Sequence, residues 1–346
     1  MVTLKNLSEL TGYSITTISR VLNNDKTLRA GEETKNIIKA VAKNSGYKTQ
    51  ESKKNKLKNK NNSPIKNCLG IIEITDVQKN IQDPYYIYMK GFVEQECFKR
   101  KIETIRIQYD LKKEKYISVS GKKIDGAIVI GHFSRKEFEA MEKVTKNLIF
   151  LDSYPEGKDY SCVLTDLPSG IKKGIKYLLK QGHKRICFAG PEYAPSLFGE
   201  PRLEVRRKTF SKYVKNHNLE KYISILECER STEDAIIKTR EYIAKNNSFP
   251  TVFFAVNESV AVGILNVLNE HHIKVPEQVS ILSYNNTVFS AFVNPPLTSI
   301  DTNSEYMAQT AVELAIKQAN TKTYFPVKIF ISPTVIERKS VLNLND

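Results

Sequence analysis

Apolar positions in the first 46 residues repeat at helical intervals. Leu4, Leu7 and Leu10 recur every three residues, Ile18, Val21 and Leu22 follow, and Ile37, Ile38, Val41 and Ala42 form a third stripe behind "GEET". The spacing predicts three short helices sharing one small core. Gly12 suits the tight turn after the first helix because it tolerates positive φ, and Ser14 is a good N-cap for the second. Two helices joined in this way make a helix-turn-helix.

Beyond residue 67 the pattern changes to short continuous apolar runs. They are "CLGIIEIT" (68–75), "IETIRIQ" (102–108), "GAIVIG" (126–131), "NLIFLDS" (147–153), "RICFAG" (185–190), "ISILEC" (223–228), "TVFFAV" (251–256) and "VSILSYN" (279–285). Helical stretches such as "LPSGIKKGIKYLLKQG" and "NESVAVGILNVLNEHH" lie between most of them. Fully apolar strands alternating with helices predict parallel sheets covered on both faces. So many strands suit two doubly wound lobes better than one oversized sheet. The intervening "KTQESKKNKLKNKNNSPIKN" (48–67) is polar and lysine-rich, with Leu57 its only large apolar residue before Ile65. It cannot bury a core and reads as a linker able to order on a polyanion.

Charge sharpens this division. Residues 1–66 hold 14 Lys and Arg against 5 Asp and Glu, whereas the other 280 hold 39 against 33. The cationic part is therefore the small front end, which attracts a polyanion in a salt-dependent way. At 100° per residue, turning Ile18, Val21 and Leu22 inward leaves Thr16, Thr17 and Arg20 outward with Ile15 at the edge. Such a helix can lie in a DNA major groove: an arginine forks onto guanine, an isoleucine touches a thymine methyl, and Ser14, Thr17 and Asn23 can bind phosphates. A small helical module that binds protein is the competing reading of the same face.

In the second part, ligands of parallel sheets bind beyond the carboxyl ends of the strands. Asp152, Asn257 and Asn285 stand at such ends, and each could also be only a cap or turn residue. Paired donors and acceptors of Asp and Asn match adjacent hydroxyls of a polyol, and aromatic rings such as Tyr85 and Tyr86 can cover the apolar face of a sugar, or can be core. No GxGxxG, GxxxxGK[ST], HExxH or GxSxG is present, so nucleotide, zinc-protease and serine-hydrolase readings lack their motifs. The five histidines have no ligand spacing, the five cysteines are never spaced CxxC, and no cofactor or metal is expected. No run has the roughly 18 apolar residues of a membrane helix and "MVTLKNLSELTG" does not resemble a secretory signal, so the expected location is cytoplasmic.

Taken together, "TLKNLSELTGYSITTISRVLNND", "TLRAGEETKNIIKAVAKNSGYKT", "DPYYIYMKGFVEQE", "IDGAIVIG", "IFLDS", "QGHKRICFAGP", "FFAVNESVAVGILNVLNEHHIKVPEQVSILSYNN" and "NPPLTSID" resemble, in order, the lactose and galactose repressor family. The likeness is greatest to the branch of galactose-operon and evolved-β-galactosidase repressors. It implies an α/β protein that is not an enzyme, with a three-helix headpiece (1–47), a hinge (48–67) and a core (68–340) similar to periplasmic sugar-binding proteins. The first lobe would take about 68–164 and 302–325, the second about 165–301 and 326–340. The family works as a homodimer on double-stranded operator DNA, repressing sugar genes until a sugar effector, here a galactoside, releases it. Ile15, Thr16 and Arg20 match the family's base-reading residues, and Ser14, Thr17, Ser19 and Asn23 its phosphate contacts. Asp152, Arg206, Asn257 and Asn285 match its polar effector contacts, with Tyr85 and Tyr86 on the wall and Phe210 where an aromatic is frequent. The expected hinge device is a leucine wedged into the minor groove; Leu57 falls about one residue late among lysines. "NES" and "SYNN" replace acidic pairs with amides, which favours a neutral ligand. The absence of leucine heptads after "VIERKSVLNLND" implies a dimer rather than a tetramer. A regulator of the same fold answering to a purine, a phosphosugar or a protein corepressor is the alternative.

Overall fold

The structure, a computed structural model, describes residues 3–23, 25, 28, 30–45, 68–73, 84–110, 112–118, 120–155, 158–194, 202–246, 249–321 and 324–345. The chain divides into two compact units, 1–63 and 64–346. The hinge expected at 48–67, with Leu57, lies outside the described residues.

In the first unit, α1 (Leu4–Thr11), α2 (Ile15–Leu22) and α3 (Glu32–Asn44) form around Leu7, Ile18, Val21, Ile38 and Ala42. A capping box between Thr3 and Asn6 starts α1, and Gly12 ends it at φ 73° with its N–H on the Ser8 carbonyl. Two side chains depart from the expected stripes: Leu10 is 64% and Ile37 42% exposed. Each i+3 step falls 60° short of a full turn, so Leu10 has rotated well away from Leu4, and Ile37 is 100° from its buried neighbour Ile38.

The second unit holds two sheets. The first lobe is built on β1 (Leu69–Glu73), β2 (Thr104–Asp110), β3 (Lys115–Ser118), β4 (Gly126–Ile130), β5 (Leu148–Leu151) and β6 (Ser161–Thr165), with α4 (Tyr85–Lys99) and α5 (Arg135–Glu142). The chain then passes through α6 (Leu167–Lys180), β7 (Ile186–Ala189), the two-residue strands β8 (Tyr193–Ala194) and β9 (Arg202–Leu203), α7 (Val205–Asn216), β10 (Ile223–Leu226), α8 (Thr232–Lys245), β11 (Val252–Ala255), α9 (Glu258–Glu270), β12 (Ser280–Asn285), α10 (Phe289–Phe292) and β13 (Thr298–Asp301). It returns for α11 (Ser304–Asn320) and β14 (Lys328–Ile331), and crosses again for β15 (Thr334–Ile336). The sheet orders are β14-β6-β5-β4-β1-β2-β3 and β10-β7-β11-β12-β13-β15, with β8 and β9 forming their own short ladder. Every pairing in the two large sheets is parallel except β2 with β3 and β13 with β15.

All eight apolar runs become strands; β4, β5, β7, β11 and β12 are buried on both faces and so need apolar side chains in both directions, while β2 and β10 are only partly buried. Nine of the thirteen α9 residues are buried, which makes it the central covering helix of the second sheet. One boundary differs from the resemblance. Residues 326–340 were expected in the second lobe, but β14 pairs with β6 in the first sheet, and only β15 joins the second. Pro333 divides the two: it interrupts the apolar segment and lets the chain change sheets. The three crossings, after β6, after β13 and after β14, are tied side by side. The Asp166 N–H donates to the Ile331 carbonyl at 2.9 Å, Asn303 Nδ2 to the Ser332 carbonyl at 3.0 Å, and Lys173 Nζ to Ser332 Oγ and the Pro333 carbonyl at 2.9 and 2.6 Å.

Candidate functional site

Two places answer to the sequence candidates, one in each unit. On α2, Ser14 caps the helix by accepting from the Thr17 N–H at 3.1 Å, and its hydroxyl meets Thr17 Oγ1 at 2.9 Å. Ile18 and Val21 are buried, as the helical wheel requires, while Ser14, Ile15 and Thr16 are exposed at the helix start. Asn23 closes the other end and donates to Ser19 Oγ at 3.4 Å. Arg20 projects from the half-buried flank, with Nε donating to Asp25 Oδ2 at 2.7 Å. That pair is a restraint the sequence did not announce. It holds the guanidinium plane in one orientation, although an ion pair this exposed adds little to stability.

In the core, the carboxyl edges of both sheets supply the second place. Asp152 follows β5 at φ 62° and accepts from Tyr86 Oη at 3.2 Å. The Tyr86 ring lies 5.2 Å from Tyr85 and 6.2 Å, edge-on, from His132. Across from them, Arg206 in the first turn of α7 is buried. Its Nε donates to Glu204 Oε1 at 2.7 Å, its Nη1 donates to the Val256 carbonyl at 2.7 Å, and its guanidinium sits 5.5 Å from the Tyr284 ring centre. The two residues that Arg206 reaches immediately precede two other candidates. Asn257 caps α9 by accepting from the Val260 N–H and donates to the Arg230 carbonyl at 3.3 Å, and Asn285 ends β12 at φ 93°. Arg206 thus fixes the strand ends from which Asn257 and Asn285 follow, and Asp152 is within electrostatic range of its guanidinium.

Two aromatic candidates stand elsewhere. Phe210, expected near the effector, is fully buried in the second lobe's hydrophobic core, with its ring 4.9 Å from Phe188 and 6.4 Å from Phe254. One helical turn beyond Arg206, its side chain enters the sheet face rather than the strand ends. Tyr85 is 5% exposed and packs in the first lobe's core behind Tyr86. Tyr86, half-buried, is the ring that meets Asp152.

His132, Glu204, Arg230 and Tyr284 are functional neighbours that sequence reasoning passed over. His132 stands just past β4, where the strand-end rule would have found it. Desolvation first, then the positive charges of Arg230 and Arg206, hold its pKa down to about 4. Its ring still meets solvent, so water screens part of that effect. Because folding makes the imidazole harder to protonate, the unfolded chain binds more protons between pH about 6.5 and about 4, and stability falls as pH drops through that window. His132→Gln is expected to flatten this part of the pH–stability curve in urea titrations; an unaltered slope would show that His132 does not titrate there.

Burial alone would raise the Glu204 pKa, but the charge of Arg206, the Arg207 N–H, the Arg206 hydrogen bond and the charge of Arg230 together hold it below the ordinary carboxylate value. Burial likewise disfavours the Arg206 cation, and Glu204 more than restores it. The five cysteines are all buried. Desolvation pushes the thiols of Cys97, Cys162, Cys187 and Cys228 up to about 12 and raises that of Cys68, which makes them poor nucleophiles and metal ligands. Among the described residues no group of three or more His, Cys, Asp or Glu could hold a metal ion, and no helix is long and apolar enough to cross a membrane.

Comparison with known proteins adds relatives of known kind. Residues 175–341 match the periplasmic binding protein-like domain. The chain is 29% identical over 322 residues to the HTH-type transcriptional regulator GalR of Streptococcus thermophilus, covering 92% of this chain and 93% of that protein. In fold it is similar to the transcriptional regulator CelR–cellobiose complex, with a TM-score of 0.64 at 18% identity over 98% of this chain and 100% of that one. It is also similar to the lac repressor dimer bound to operator and the anti-inducer ONPF, with a TM-score of 0.61 at 18% identity over 99% of each chain. With helix-turn-helix geometry at one end and a two-sheet core at the other, the chain is similar over nearly its whole length to HTH-type transcriptional regulators and shares the fold of the lac repressor.

Proposed function

We propose that this regulator represses sugar-utilisation genes by binding operator DNA as a homodimer through α2, and that a saccharide of the galactoside class, bound at the strand ends of the core, releases it. The observation that carries the reading is that the buried Arg206 guanidinium holds the ends of β11 and β12 at Val256 and Tyr284, immediately before Asn257 and Asn285, with Asp152, bonded to Tyr86, within its electrostatic range. Amides, a carboxylate and an arginine supply paired donors and acceptors for adjacent hydroxyls, and the half-buried Tyr86 ring supplies an aromatic surface for the sugar ring. GalR as the name of a relative and a cellobiose complex among similar folds support the sugar, and an operator-bound dimer among them supports the DNA and the dimer.

On the DNA side, Ile15, Thr16 and Arg20 are assigned to base edges, and Ser14, Thr17, Ser19 and Asn23 to phosphates. If sugar and operator prefer different arrangements of the protein, each must weaken the other by the same factor, typically about 5- to 150-fold. Selecting bound fragments from the source genome identifies the operator, and neighbouring transport and glycosidase genes identify the sugar class. With that operator in a shift assay, Arg20→Ala is expected to lose about 1–3 kcal/mol, roughly 5- to 150-fold, and to relax specificity at one base pair, with the thermal shift on adding sugar unchanged. Equal operator affinity in the variant and the parent would remove Arg20 from base reading.

A further inference from the structure

The Arg206–Glu204 pair has a property that ligand binding alone does not require. Both partners are buried, with side chains 7% and 3% exposed. Both carboxylate oxygens are committed, Oε1 to Arg206 Nε at 2.7 Å and Oε2 to the Arg207 N–H at 2.9 Å, so Glu204 caps α7 and faces the arginine at once. Glu204 cannot turn toward a ligand without giving up one of these bonds. Its effect on a ligand is therefore exerted through charge. Arg230 lies within electrostatic range of Glu204, and Asp152 within range of Arg206, so the neutral Glu204–Arg206 pair has one further charge of each sign acting on it.

We infer that Glu204 sets the selectivity of the effector site by cancelling the charge of Arg206, so that the site accepts uncharged saccharides and rejects phosphorylated ones. This rests on the sugar reading above and deepens it. In a desolvated site a dianion must find a net positive charge to replace its lost hydration, and a balanced site offers none. A neutral polyol loses nothing by the balance, because each hydroxyl needs only one donor or one acceptor. Removing the carboxylate leaves Arg206 uncompensated and turns the site into one that favours an anion.

The test uses the full-length chain as wild type, Glu204→Gln, Glu204→Asp and the double variant Glu204→Gln with Arg206→Met. Thermal melting is followed in inorganic phosphate and in chloride at equal ionic strength, and with D-galactose or D-galactose 6-phosphate. Wild type and Glu204→Asp are expected to show the same small phosphate response, shared by all variants through their other basic residues. Glu204→Gln is expected to gain an added stabilisation by phosphate, and a preference for the phosphorylated over the neutral sugar shifted by about tenfold or more. The double variant should lose that gain. A Glu204→Gln chain that melts as wild type does in phosphate, or a gain that survives in the double variant, overturns the assignment. So does wild type that binds galactose 6-phosphate as tightly as galactose, a result that needs no variant to fold. Wild type that responds to neither sugar counts against the galactoside reading only, and the inorganic phosphate comparison still decides the role of Glu204.

Discussion

Arg206→Ala is expected to destabilise the core unit by about 3–5 kcal/mol, because it strands a carboxylate that is almost wholly inside the protein. The arginine also holds the Val256 carbonyl and covers Tyr284, so the loss extends to the ends of β11 and β12. Urea unfolding measures the stability, and a shift assay with added sugar measures the function, which should be a repressor that remains on its operator. The two effects separate in a double variant. Replacing both Arg206 and Glu204 by apolar residues of similar volume should restore the part of the stability lost to the stranded charge, though not the cap of α7 or the bond to the Val256 carbonyl, while leaving the protein blind to sugar. Arg206→Ala with wild-type stability would contradict the burial of the pair, and normal release by sugar would remove Arg206 from effector binding.

Phe210→Ala is expected to cost a similar amount, about 3–5 kcal/mol, for a different reason. Its ring fills space between Phe188 and Phe254 under α7, and nothing polar replaces it there. Phe210→Leu, which keeps most of the volume, should cost less than about 1.5 kcal/mol and leave sugar affinity unchanged. If Phe210→Leu instead abolished sugar binding in a chain of normal stability, the aromatic would belong to the ligand wall and not to the core.

The contrast between Arg206 and Phe210 shows what the sequence makes visible. They are four residues apart on α7, and periodicity assigns them to neighbouring positions of one face; only the tertiary structure shows that the first turn of the helix stands at the strand ends and the second over the sheet. Strands were legible where the buried residues are uninterruptedly apolar, as in β7 and β11, and not in the equally buried β6, whose ends are Ser161 and Thr165. The edge strand β3 was not, because three of its four residues are only partly buried or exposed and it lies among lysines, the residues that discourage edge-to-edge pairing. The split of β14 from β15 was equally hidden: which sheet a strand joins is decided by long-range pairing, on which local pattern is silent.

The strand-end positions of Asp152, Asn257 and Asn285 were legible, and they are candidates because such folds place ligands there. Glu204 was not, because it looks like one more charge in "LEVRRK" until the start of α7 brings it against Arg206. The same limit applies to Asp25, whose contact with Arg20 depends on the turn that follows α2.

The triple passage of the chain between the sheets has a consequence for how such regulators can diversify. Neither lobe is encoded by one uninterrupted stretch of gene, since β14 and α11 complete the first lobe only after the second has been almost wholly translated. Recombination that exchanged a whole lobe between relatives would need breakpoints at all three crossings, so new ligand preferences are more accessible by point changes at the strand ends than by shuffling.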